Sequence, residues 1–281
     1  MQIAVTGGKG GTGKSTIATA LALALAKKSR VLLMDADADC PNDHLLLGME
    51  RQQIKIVEQR IPVWNMQTCT KCGACGPVCK ANAIVSVTGH EPFFSSPQCH
   101  GCGACAHNCP TGAISWGAKE IGTIYSGKSG AVDLLSGELK VNEPASERII
   151  QEMKQLVNQK KTAYDHVIID TAAGTHCDVI AALEGVEHVL AVTEPTPLGA
   201  HDLELILELT AAMRLPSSII INRYEEGRDD LIAPVAERHK IEIKARVPYS
   251  EEIVRSYARG ESISHPVIDS LARGLDASFG S

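Results

Sequence analysis

Eight of the ten cysteines fall into two copies of one spacing, CxxCxxCxxxC. The first copy, CTKCGACGPVCKANAI, runs from Cys69 to Ile84, and the second, CHGCGACAHNCPTGAI, from Cys99 to Ile114. Thiolates at such spacing can hold iron–sulfur clusters or zinc, or form a disulfide framework. Zinc sites, however, use two CxxC pairs set far apart, and neither pair needs a third and fourth cysteine at these offsets in duplicate. A second stretch, near the N-terminus, has the chemistry of phosphate binding. There QIAVT runs into GGKGGTGKST, and Gly8 to Ser15 matches the GxxxxGKS/T pattern between a strand and a helix. Glycines at Gly8, Gly10, Gly11 and Gly13, with Thr12 among them, let backbone N–H groups close around phosphates at a helix N-terminus, where the macrodipole also favours anions. Lys14 then reaches the β- and γ-phosphates, Ser15 holds Mg²⁺, and Thr16 closes the loop near the α-phosphate.

The cysteine stretch resembles bacterial-type ferredoxins over residues 61–118. The resemblance implies two 4Fe–4S clusters, because the fourth thiolate of each copy crosses to the other cluster. One set is then Cys69, Cys72, Cys75 and Cys109, and the other Cys99, Cys102, Cys105 and Cys79. Gly73 and Gly103 suit backbone that wraps a cube closely at positive φ, and Ala83-Ile84 and Ala113-Ile114 begin short covering strands. The two copies differ at one place: Pro110 follows the fourth cysteine of the second copy, whereas Lys80 stands there in the first and brings a cation near a cluster. His100 and His107 read as solvated surface histidines.

Lys9 narrows the reading of the phosphate loop. A second lysine in the form KGGTGKST resembles the deviant phosphate loop of the MinD/ParA superfamily of ATPases, in which that lysine reaches the nucleotide of a partner subunit. The resemblance implies ATP or ADP with Mg²⁺ as ligands, and an ATP-bound sandwich dimer, either with itself or with a paralogue. RVLLM, a continuous apolar strand, ends in DADADCPN, and carboxylates at a strand's C-terminal edge are where a parallel sheet places its ligands. By the resemblance, Asp37 orients or activates the attacking water and Asp35 supports the magnesium shell. Asp39 belongs to the same acidic group but could equally be only a turn residue. HVIID then TAAGT is similar to the family's second acidic strand and loop, a resemblance that implies that Asp170 acts on magnesium and that the Gly174 amide senses the γ-phosphate. The family often has proline in this loop, where Ala172-Ala173 stand. The resemblance also implies that Asn222, which ends the strand SSIIIN, and Arg223 line the base with Pro248. An asparagine there could equally cap a helix. Cys40 and Cys177 read as small residues, buried or partly buried.

These groups need a scaffold. Strands at Arg30 to Met34, Tyr164 to Asp170, Glu187 to Thr193, SSIIIN and IKARVPYS alternate with helical stretches from Ser15 to Lys28, Ser146 to Lys160 and up to Met213. That alternation predicts an α/β fold with a mostly parallel sheet flanked by helices. Helical patterns from Glu251 to Phe279 finish the chain. Between Gly48 and Gln67 no firm pattern emerges, and Ile61-Pro62 marks where the chain leaves for the cysteine unit. EIGTIYSGKSGAVDLLSGELK reads as extended structure returning from it. The expected organisation is an ATPase part over 1–60, an inserted small α+β ferredoxin-like domain over 61–118, and the rest of the ATPase over 119–281.

The 281 residues carry a net charge of −6, which leaves no electrostatic footprint for nucleic acid. Ile17 to Ala26 is apolar but too short to span a bilayer, and the C-terminal stretch lacks a basic amphipathic helix. Exposed cluster-forming thiols belong in a reducing compartment, so the cytoplasm is expected. The function these features imply is an ATP-gated electron donor to a redox protein or metallocofactor. The alternatives are an iron–sulfur or metallocofactor assembly ATPase whose clusters are cargo, and a scaffold ATPase whose clusters are structural.

Overall fold

The computed structural model describes residues 1–144, 146–228, 230–261 and 263–279, so the expected domain end at 281 lies outside the described residues. Short runs rich in Val, Ile and Leu, separated by helices, pair as buried parallel strands. In spatial order these are β11 (Ile243–Pro248), β10 (Ser217–Tyr224), β9 (His188–Thr193), β1 (Gln2–Thr6), β8 (His166–Thr171), β2 (Val31–Ala36) and β7 (Val132–Leu139). Two antiparallel strands extend the sheet beyond β7. They are β6 (Ile114–Ser129) and, at the edge, β3 (Gln52–Trp64).

Successive strand residues face opposite ways, so each buried strand feeds two layers. Ile3 and Val5 of β1 pack with Leu21 and Leu25 of α1 (Lys14–Ala26) and with Leu271 and Leu275 of α9 (Pro266–Phe279). Ala4 faces the other layer, with Ile149 and Met153 of α4 (Glu147–Gln159) and Val179 of α5 (Cys177–Leu183). Helices α6 (Pro197–Ala212) and α7 (Ala233–His239) cover the rest of that layer through Leu203, Ile206 and Val235. This is the α/β architecture that the alternation predicts. Because the strands are parallel, the loops after β1, β2, β8, β10 and β11 all leave the same edge of the sheet.

Strand β3 has no clear signal in the sequence, and its register shows why. Irregularities between Gln53 and Lys55 and between Val57 and Glu58 break the two-residue period. Ile54 and Ile56 are half-exposed while Val57 is fully buried, so apolar spacing and burial disagree. Pro62 is tolerated because β3 is an edge strand.

Ile61 pairs with Gly117, and Arg60 with Ala118. The expected boundaries at 61 and 118 therefore fall inside a continuous two-stranded ribbon, along which the chain passes from the sheet to the cysteine region. At its far end sit the hairpin β4 (Ile84–Val85) and β5 (Phe93–Phe94) and the single turn α3 (Ala104–His107). Ile84, Cys105 and Ile114 form a small core there with Trp64 and Phe94, whose rings lie 5.5 Å apart.

Candidate nucleotide site and cysteine hollows

The loop between β1 and α1 turns at Gly11 (φ 81°) and Gly13 (φ 88°), conformations that suit glycine. A side chain at Gly13 would also strike Asn222, whose Nδ2 donates to the Thr12 carbonyl at 2.8 Å. Asn222 thus anchors the phosphate loop and caps no helix. Gly10, Gly11, Gly13, Lys14, Ser15 and Thr16 line a cleft of about 300 Å³, joined by Asp37, Asn222, Arg223 and Pro248. Those sequence-predicted groups meet in one place, although Asn222 and Pro248 are 26 residues apart in sequence. Gly8 instead abuts Asp202 of α6, and the Thr12 hydroxyl bonds back to the Lys9 carbonyl.

The sequence reading did not single out the wall facing the loop, formed by Tyr249, Ile253 and Tyr257, the last two on α8 (Glu251–Arg259). No residue of α8 is buried, so its apolar face opens onto the cleft. Amphipathic spacing after the last strand was the available signal, and it reads equally as a helix packed on a core.

Lys14 is buried, and its ammonium reaches the Lys9 carbonyl at 3.2 Å. Burial lowers its pKa, while Asp170 and Asp37 pull it back up. Asp37 lies at the cleft with its carboxylate accepting from the Cys40 amide at 3.3 Å. Burial raises its pKa against that amide and Lys14, while Asp39 and Asp178 add to the rise. Asp39 itself is an exposed turn residue, as its sequence suggests.

Asp35 and Asp170 are buried beneath the cleft and are joined there by Asp43, the first residue of the short helix α2 (Asp43–Leu46). One carboxylate oxygen from each lies within 4.8 Å of the other two. Asp35 accepts from the amides of Asp37 (3.3 Å) and Asp43 (3.2 Å). Neither Asp43, fully buried, nor Asp170 has a hydrogen-bond partner for its carboxylate oxygens among the described residues. Burial pushes Asp170 up to about 7, with Ser15 and Lys14 opposing and Asp37 adding to it. Asp35 and Asp43 are raised as well, first by burial and next by Asp170. Three hard oxygen donors crowded with only Lys14 to offset them fit a divalent cation such as Mg²⁺. The sequence reading missed Asp43 because an aspartate in a helix's first turn normally faces water; here α2 turns that end inward.

Gly174 and Lys9 each make a contact within the chain. Gly174 (φ 95°) donates its amide to the Gly7 carbonyl at 3.1 Å. Lys9 lies 3.7 Å from Glu194, which also accepts from Arg223 at 2.7 Å. Cys40 and Cys177 correct an expectation of burial: both are exposed. Cys40 ends the tight turn after β2, and Cys177 begins α5, so each is held by chain ends at the surface and not by the core.

The eight remaining cysteines divide between two hollows. Cys69, Cys72, Cys75 and Cys109 line one, and Cys79, Cys99, Cys102 and Cys105 line the other. The grouping crosses between the copies, as the ferredoxin resemblance implies. Backbone repeats with it: positive φ recurs at Lys71 and Gly101, at Gly73 and Gly103, and at Asn82 and Gly112. Ala83 N–H reaches Cys79 Sγ at 3.3 Å, and Ala113 N–H reaches Cys109 Sγ at the same distance. Amides aimed at sulfur favour thiolate, and apolar hollows with four such sulfurs fit a thiolate-bound metal cluster. For Cys109, burial would raise the thiol's pKa, but the amides of Thr111, Ala113 and Gly112 and the Thr111 hydroxyl outweigh it and lower it. His100 and His107 are exposed.

Among the described residues, no helix is long and apolar enough to cross a membrane. Residues 3–263 match the CobQ/CobB/MinD/ParA nucleotide binding domain. Two uncharacterised proteins of Methanocaldococcus jannaschii are similar to the chain. One is 37% identical over 93% of this chain and 91% of its own, and the other 32% identical over 88% and 86%. The septum site-determining protein MinD of Pyrococcus horikoshii, solved with Mg-ADP, shares the fold at a TM-score of 0.61, with 20% identity over 99% of this chain and 97% of that one. The chain therefore belongs to the CobQ/CobB/MinD/ParA family of nucleotide-binding proteins, with its phosphate loop at the edge where the parallel strands end.

Proposed function

We propose that the chain is a Mg²⁺-dependent ATPase whose nucleotide state gates electron transfer from two 4Fe–4S clusters to a redox protein or metallocofactor. The observation that carries this reading is the crossed grouping of eight thiolates into two hollows, on a ribbon that leaves the sheet at the same edge as the nucleotide loops. The inserted unit is taken as residues 61–118, with the ATPase on either side. Clusters bound there would supply one-electron chemistry; the cysteines hold them, and backbone amides stabilise the thiolate charge.

For hydrolysis, Lys14 and the loop amides bind the β- and γ-phosphates, and Ser15 with Asp35, Asp43 and Asp170 holds Mg²⁺. Asp37, at the cleft surface, orients water toward the γ-phosphate. Gly174 exchanges its bond to Gly7 for the γ-phosphate, which makes the loop after β8 responsive to hydrolysis. Lys9, released from Glu194, reaches the nucleotide of a second subunit, itself a copy or a paralogue. That M. jannaschii carries several relatives of this chain is in keeping with a paralogous pairing. Asn222, Arg223 and Pro248 flank the base. Exposed thiolates such as Cys72 and Cys102 require a reducing compartment, in keeping with the cytoplasm.

The test is an anaerobic redox titration followed by EPR, with and without ATP and Mg²⁺, using Lys14→Ala as control. A midpoint shift with nucleotide that the control lacks is expected. No shift, with clusters passing instead to an apo-acceptor protein, would replace gating with cluster assembly.

A further inference from the structure

The internal repeat permits a comparison of one hollow with the other, position by position. In the first copy, the Lys71 carbonyl accepts from the Gly89 amide at 2.8 Å and the Cys72 carbonyl from the Thr88 hydroxyl at 3.4 Å. The corresponding carbonyls of the second copy belong to Gly101 and Cys102. Both are taken by one side chain: Arg60 Nε donates to Gly101 O at 2.7 Å and Nη2 to Cys102 O at 3.2 Å. The guanidinium also lies 4.7 Å over the Trp116 ring, and a side chain at Gly103 would come within 3.1 Å of it. Gly101, Cys102, Gly103 and Trp116 all line the second hollow. Two neutral donors in one copy are thus replaced by a cation in the other.

Resting on the two-cluster reading above, we propose that the clusters are inequivalent, and that the one on Cys79, Cys99, Cys102 and Cys105 has the higher reduction potential because Arg60 is clamped behind it. Reduction adds one electron from an external one-electron donor and makes the cluster one unit more negative, with no covalent bond made or broken. A fixed cation favours that state. The remaining charges do not reverse the sign. Lys71, at the first hollow, is paired with Glu91 at 3.2 Å, and each hollow carries one histidine, His90 and His100. Lys80, next to Cys79 in sequence, is exposed and is a cation, so it does not oppose that sign. Cys99 and Cys105 are more buried than Cys69 and Cys75, which disfavours added charge; Arg60 offsets that cost with a cation bonded to the cluster-bearing loop itself, for which the first copy has only neutral donors. An electron delivered to either cluster therefore settles on the second, the one gripped by the ribbon from the ATPase. Gln59 adds to that grip by donating to the Cys99 carbonyl at 2.6 Å.

Arg60 is a positioning residue, and the test separates its charge from its scaffolding. Iron and acid-labile sulfide are assayed on the purified full chain first, and absence of clusters would overturn both this inference and the function it rests on. With two clusters present, an EPR-monitored titration of the wild type should resolve two steps. A single unresolved step, with function otherwise intact, overturns the inequivalence alone. R60Q should lower the upper step and leave the lower one in place, whereas R60K, which keeps the charge, should retain most of the wild-type value. R60Q and R60K falling together, or neither moving, overturns the role of charge. Should R60Q lose iron, the wild type still decides: the upper step must fall as ionic strength rises, because Arg60 is exposed enough to be screened, and a salt-independent gap counts against the proposal.

Discussion

The ammonium of Lys9 lies 3.7 Å from the Glu194 carboxylate of its own chain, and the same carboxylate holds Arg223 at 2.7 Å. A cation expected to reach a second subunit is thereby kept at home by a contact that is easily exchanged. Partly exposed pairs of this kind contribute about 0.2–1 kcal/mol. Glu194→Gln should therefore strengthen ATP-dependent self-association several-fold, and Lys9→Ala should abolish it. Sedimentation velocity with ATP and Mg²⁺ reads both, and an unchanged E194Q would remove Glu194 from the switch.

Asp37 touches the cleft, while Asp35, Asp43 and Asp170 lie beneath it. Asp37→Ala should lower the rate of ATP hydrolysis roughly 100-fold, the scale on which one positioned polar group acts at a reacting centre. Nucleotide affinity should change little. Lys14→Ala should reduce both. A phosphate-release assay beside fluorescent-nucleotide binding separates the two patterns.

Removing Mg²⁺ should make stability depend on pH. Asp35, Asp43 and Asp170 have folded pKa values above the unfolded carboxylate value, Asp170 at about 7. Groups shifted that way contribute stability that is complete below the unfolded pKa and is lost as pH rises through the folded one. In EDTA, the melting temperature should fall progressively from about pH 4, the unfolded carboxylate value, to about pH 7, the folded value of Asp170, and Mg²⁺ should flatten the slope. Asp43→Asn removes one of the crowded charges, so it should raise the EDTA melting temperature at pH 8 while weakening Mn²⁺ binding. A variant that binds Mn²⁺ as the wild type does would take Asp43 out of the metal site.

The crossed cysteine sets make a prediction that a serial arrangement does not. Cys79→Ser should damage the cluster of the second copy, so iron content falls by about half and the Arg60-sensitive redox step disappears. Cys109→Ser should spare that step and remove the other. The reverse pattern would mean that each copy holds its own cluster.

Much of the nucleotide site was legible because phosphate binding depends on local backbone. KGGTGKST sets glycines, lysine and serine at offsets that hold only in one turn, and the structure puts Gly10, Gly11 and Gly13 to Thr16 at the cleft. Asn222 was found by resemblance, yet its anchoring of Thr12 across 210 residues of chain is a contact that no local pattern encodes. Cys40 and Cys177 were expected inside and are exposed, since cysteine's usual burial says nothing about a turn or a helix end at the surface.

By itself, then, the sequence determined the chemistry that depends on spacing: the phosphate loop, the acids ending apolar strands, the duplicated thiols and the α/β alternation. Only the tertiary structure decided what depends on which distant groups share a space. It buried Asp43 with Asp35 and Asp170, tied Lys9 to Glu194, and ran β3 past the expected boundary to set Arg60 behind one of the two cysteine hollows. The reason is physical: spacing constrains a few neighbouring residues, whereas charge crowding, burial and inequivalence between copies arise only when separate elements pack.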